Sequence, residues 1–194
     1  MSEETWVERI ALLSRDAGAR CRWNAPVTVE ALRAFEDRYG IELASDYKRV
    51  LSQIGNGAEG LVMVFPLGFV GTDEGLSPLE SWGELDLRSR FPLSIDASYW
   101  NDDGEIDGDL DDDLPPYPGA LPVAEDPGTG GLDLLIVTGA ERGLMWELEG
   151  SIVPAPNPLL RSLTFSEWVA VELAKRLNRG DLLAAWRAEP APSR

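Results

Sequence analysis

Eight carboxylates crowd into twelve residues, at Asp102, Asp103, Glu105, Asp107, Asp109, Asp111, Asp112 and Asp113. Side chains of that type at that density can ligate a hard cation through oxygen or present a row of negative charge to a basic surface. From Asp103 onward, oxygen donors stand at alternate positions with Gly108 sixth, which resembles the opening of a calcium loop. The twelfth position is Leu114 where such a loop needs a bidentate glutamate, and Pro115 and Pro116 follow where an exit helix would begin. No high-affinity metal site is therefore expected; a weak calcium site, a hydrated acidic loop and a partner-binding surface are the readings left open. Tyr99, Trp100 and Tyr117 border the acids. Trp100 is the candidate aromatic anchor beside a charged rim, the alternative being that these rings pack beneath the loop. Trp100 and the eight carboxylates form the candidate partner-binding set.

Other chemistry is sparse. The chain has no histidine, which excludes a Ser/His/Asp triad, a Cys/His nucleophile pair and a His-ligated zinc. The single cysteine, Cys21, cannot form an intramolecular disulfide and fits a reducing interior. Its neighbours Arg20 and Arg22 could lower its pKa; an inert thiol is the alternative. Paired carboxylates can act as acid and base, but among 34 acids any pair is a chance pair, so no catalytic residue is assigned and no enzyme is expected. Gly55, Gly57 and Gly60 match G-x-G-x-x-G formally. The order there is helix then strand, the reverse of a dinucleotide site, so the match is read as a turn. Pro115 and Pro118 satisfy PxxP and are read as stiffening the loop. No cofactor is implied.

Charge is distributed unevenly. The net charge is −17, and residues 57–150 carry three basic and twenty-one acidic groups, net −18. Two lysines and fifteen arginines cannot supply the phosphate contacts that nucleic acid or an anionic membrane demands, so neither is an expected partner. A basic protein is the natural complement. The first thirty residues show no basic-then-apolar leader and no run of eighteen apolar residues occurs, which makes a soluble, cytoplasmic, single domain over 1–194 the expectation.

Apolar spacing supplies the elements. Trp6, Ile10, Leu13 and Ala17 predict a helix over 3–17; Leu32, Phe35 and Tyr39, between Thr28 and Gly40, predict one over 29–39. Ser45 is the expected cap of a third, with Tyr47, Val50, Leu51 and Ile54 inward and a stop at residues 55–57. The β-branched run 61–65 reads as a buried strand. Turn chemistry dominates beyond it, with a short helix near 79–87 and a strand near 120–124. Residues 133–137 and 144–148 flank a glycine turn and predict an antiparallel hairpin. Thr164 and Glu167 form a capping box for a helix carrying Trp168, Val171 and Leu177 and closed by Gly180, with a further helical piece over 181–188. Helices, then strands, then a helix argue for an α+β fold: an antiparallel sheet packed with N-terminal helices and a C-terminal helix.

The order of Tyr39, Gly40, Ile41 to Tyr47, Leu51 and Asn56-Gly57, with the later Gly131 to Leu135, the turn into Leu144 to Trp146 and the helix after Thr164-Phe165, resembles the SUKH superfamily of Smi and Knr cell-wall regulators and their bacterial relatives. The resemblance covers about 26–178. Ala44 stands where the family usually has proline. The resemblance implies an α+β binding module without catalytic residues, most often an immunity protein that neutralises a cognate toxin domain; a regulatory adaptor that binds a host protein is the alternative. A basic toxin, such as a nuclease, fits the acidic centre.

Overall fold

The computed structural model describes residues 3–72, 75–81, 85–93, 118–126, 130–149, 151–154, 159 and 162–189. Helix α1 spans Glu3–Ala17 and presents Trp6, Ile10, Leu13 and Ala17 to the core, the face its spacing predicts. A 3-10 turn, Gly18–Arg20, leads into strand β1, Cys21–Trp23. Helix α2, Val29–Tyr39, starts where the Thr28 hydroxyl accepts the Ala31 N–H, and ends at Gly40 in the left-handed conformation, φ 63°. Helix α3 spans Ser45–Gln53.

The start of α3 differs from expectation. Ala44 holds the cap position and Ser45 is already helical. The anionic group at this end is Asp46, 4% exposed, whose Oδ1 accepts the Tyr47 N–H at 2.8 Å and whose Oδ2 accepts the Ser166 N–H at 3.0 Å. One carboxylate thus ties together the N-termini of two helices, where the helix dipoles favour negative charge.

The expected strand over 61–65 is shorter and broken. The chain forms β2, Ala58–Gly60, turns at Leu61 and Val62, and returns as β3, Met63–Val64, pairing Ala58 with Val64. The turn follows from Gly60, φ 109°, whose Cα lies so close to the Arg20 carbonyl that any Cβ there would collide with it. The Gly55, Gly57 and Gly60 match is a helix stop: the Asn56 side chain accepts the Leu67 N–H at 2.8 Å and the Gly57 carbonyl accepts the Asn24 N–H at 3.0 Å.

A two-stranded hairpin follows, β4 (Phe69–Thr72) with β5 (Gly75–Pro78). Over the expected short helix near 79–87 there is a 3-10 turn, Leu79–Ser81; residues 82–84 lie outside the described residues. Then come β6 (Ala120–Glu125), β7 (Leu132–Ile136), β8 (Met145–Glu149) and β9 (Ser151–Pro154). Seven strands form one sheet in the order β1-β2-β3-β6-β7-β8-β9, and every neighbouring pair is antiparallel. The β4/β5 hairpin interrupts what is otherwise a meander.

Helix α4, Phe165–Arg176, carries the capping box of Thr164 and Glu167. Nine of its twelve residues are buried, Ser166 and Glu167 among them, as expected of a helix packed on several sides. It packs against α1 and α3 and shares the main core with the sheet, with Phe165 edge-on to Tyr47 at 4.7 Å between centroids. Gly180 does not close it. Asn178, φ 56°, makes the left-handed stop, and Gly180 opens α5, Gly180–Arg187, whose Trp186 meets Trp6 at 5.1 Å.

The sheet is covered on both faces. Leu135, Val137 and Met145 join the main core with the helices, while Leu134, Ile136 and Trp146 face a smaller cluster closed by Phe91 and Leu93. Burial on both faces explains why β7 reads as a continuous apolar run, as fully covered strands do. These elements make the fold α+β. No described helix is long and apolar enough to cross a membrane.

Candidate functional site

All nine residues of the expected partner-binding set, Trp100, Asp102, Asp103, Glu105, Asp107, Asp109, Asp111, Asp112 and Asp113, lie outside the described residues, as do the calcium-loop resemblance, Tyr99, Tyr117 and Pro115. Among the described residues no three acid, cysteine or histidine side chains are grouped to hold a metal ion. The lowered thiol pKa considered for Cys21 is reversed. Its side chain is 5% exposed, and burial pushes the thiol up, against a smaller opposing hydrogen bond with the Val62 backbone. Strand alternation turns Arg22 to solvent, where it pairs with Glu59 at 3.0 Å.

The described structure brings other acids together. Between the sheet and the C-terminal half of α4 lies a cleft of about 90 Å³, walled by Leu61, Val62, Met63 and Trp168. Five carboxylates line it, Glu125, Asp126, Asp133, Glu147 and Glu172, against two cations, Lys175 and Arg176. Each position follows from the local fold. Asp133 and Glu147 are direct cross-strand partners in the β7/β8 register, and period two places Asp133 on the helix side with Leu135. Glu125 ends β6, and Asp126 follows it. Glu172, Lys175 and Arg176 fall on one flank of α4, three and four residues apart.

Both cations are committed. Lys175 Nζ donates to Glu172, and Arg176 Nη2 reaches both oxygens of Asp126, at 3.1 and 3.0 Å. Asp133 is left differently placed. It is 6% exposed, and its carboxylate accepts no hydrogen bond and makes no ion pair among the described residues. Burial, then the negative charges of Glu147, Glu172 and Asp126, push its pKa up to about 8, with Lys175 opposing weakly. Near neutral pH the carboxyl is therefore largely protonated, and like charges directly opposite in a sheet are avoided in that state. Such a group can change protonation when a charge enters the cleft.

This cleft is not among the sites expected from the sequence. Its signal was present in one respect: Asp133 and Glu147 are the polar interruptions of two apolar strands, and the hairpin pairing sets them opposite each other. The presence of α4 over them is a long-range fact that no local pattern carries. No family model, curated protein or solved structure matches the chain.

Proposed function

We propose that the chain is a non-enzymatic binding module for a basic protein, acting as an immunity protein that neutralises a basic toxin domain, with a nuclease the best fit. The observation that carries this reading is the concentration of charge: net −18 in residues 57–150, inside a chain whose remainder is nearly neutral. Packing like charge at that density opposes compaction, whereas a field of one sign speeds encounter with a basic cleft and can stand in for the phosphates such a cleft binds. Four of the acids that line the cleft beside α4, Glu125, Asp126, Asp133 and Glu147, belong to that segment. At about 90 Å³ this cleft is far smaller than a small-molecule site, which usually spans ~300–1,000 Å³. The resemblance to SUKH domains points the same way.

The test is association kinetics of the full chain with the product of the neighbouring gene, at low and high salt. Replacing Asp107, Asp109, Asp111 and Asp112 by asparagine is expected to slow association by about tenfold or more at low salt and to flatten its salt dependence. Dissociation should change less, because rim charges act mainly on encounter. An unchanged association rate together with unchanged protection of toxin-expressing cells would sink this reading.

A further inference from the structure

The cleft beside Asp133 combines apolar walls, a surplus of carboxylates and one buried acid with no partner among the described residues. We propose that it receives the cationic head of a lysine or arginine side chain from the basic partner, with Asp133 and Glu147 as its counter-charges. The inference rests on the reading of the chain as a module for a basic protein and names the group that such a partner inserts.

Size, walls and charge select this occupant. A volume of about 90 Å³ holds an ammonium or guanidinium head with a methylene or two, and excludes a peptide segment or a sugar ring. Leu61, Val62, Met63 and the Trp168 indole offer apolar surface to the stem, as long cationic side chains require. Lys175 and Arg176 already serve Glu172 and Asp126, so neither is free to neutralise Asp133. A bare metal ion is disfavoured, because no three acid, cysteine or histidine side chains converge on one point among the described residues.

Entry of a cation carries a proton balance. The groups facing Asp133 are Glu147 from β8, Glu172 and Lys175 from α4, and Asp126 after β6, with Glu125 and Arg176 also on the cleft wall. Their net field and burial keep the carboxyl protonated near neutral pH, and an arriving cation reverses that balance. The neutral carboxyl then gives its proton to solvent and becomes the carboxylate of a new ion pair. Binding therefore releases a proton, and affinity falls about tenfold for each pH unit below the raised pKa.

The probes are butylammonium and propylguanidinium chloride, titrated into the full chain while the Trp168 indole N–H and the Asp133 and Glu147 amides are followed by NMR. Butanol and calcium chloride are the controls. Saturable shifts are expected with an organic cation, and whichever binds more tightly assigns the partner side chain as lysine-like or arginine-like. Asp133→Asn should weaken binding by about tenfold or more and remove its pH dependence. Glu147→Gln should weaken it while retaining that dependence, and the pH dependence of the parent needs no variant at all. Absence of saturable shifts, equal binding by Asp133→Asn, or shifts with calcium alone would each overturn the inference. Partner affinity unchanged in Asp133→Asn would overturn the inference and leave the binding-module reading intact. Cation binding with no association of the neighbouring gene product would support the cleft and overturn that reading.

Discussion

Truncating Leu51 to alanine is expected to lower the unfolding free energy by about 2–5 kcal/mol, through lost burial and the cavity left behind. Leu51 is fully buried on α3, and its carbonyl accepts the Val27 N–H at 3.0 Å, so the site joins α3 to the approach of α2. Tyr47, one turn earlier on the same face, packs edge-on against Phe165 of α4. Leu12→Ala on α1 is the matched control. Leu12 is 49% exposed, and its truncation should stay within about 0.5 kcal/mol. Urea unfolding of the three chains, read as midpoints at constant slope, checks both. Coincident midpoints for Leu51→Ala and the parent would mean that the inner face of α3 is not packed on α4.

The two residues also show why the helices were legible. In α1 and α3 the buried positions repeat at three and four residues, and that period survives whatever the rest of the chain does. The cap of α3 was not legible, because Asp46 acts partly through the Ser166 N–H, 120 positions away. A serine before a helix is a good local candidate, but the buried carboxylate one residue on serves two helix ends at once. The run 61–65 failed for a related reason. Its five apolar residues fit a strand by composition, yet Leu61 donates its N–H to the Arg20 carbonyl at 2.8 Å and bends the chain before β3 starts. The α4 stop likewise went to Asn178, since a left-handed asparagine ends a helix as glycine does. Charge was legible as a sum and as a segment. The cleft was not, because its five acids come from β6, the residue after it, β7, β8 and α4.

Stability of the parent is expected to fall as pH rises from about 5 to 7.5, at up to about 1.4 kcal/mol per pH unit. The sign follows from Asp133. In the folded chain its carboxyl stays protonated until about 8, whereas in the unfolded chain it has the ordinary aspartate value of 3.8. Between those values the folded state holds one more proton than the unfolded state, so raising the pH favours unfolding; below them both states are protonated and above them neither is. The chain has no histidine, and burial moves the Cys21 thiol upward, away from the window. The lowered carboxylates, Glu80, Asp86 and Asp181, carry the opposite sign and act at more acid pH, below the ordinary values of 4.5, 3.8 and 3.8. Asp133→Asn keeps the shape of the side chain and removes its proton equilibrium. Its stability should therefore be nearly level over the same range, crossing that of the parent and exceeding it at the alkaline end. Thermal and urea unfolding of both chains at half-unit steps of pH decide the matter. Parallel curves for parent and variant would show that Asp133 is already ionised in the folded protein, that a counter-charge holds it there, and that the cleft beside α4 has no proton to release.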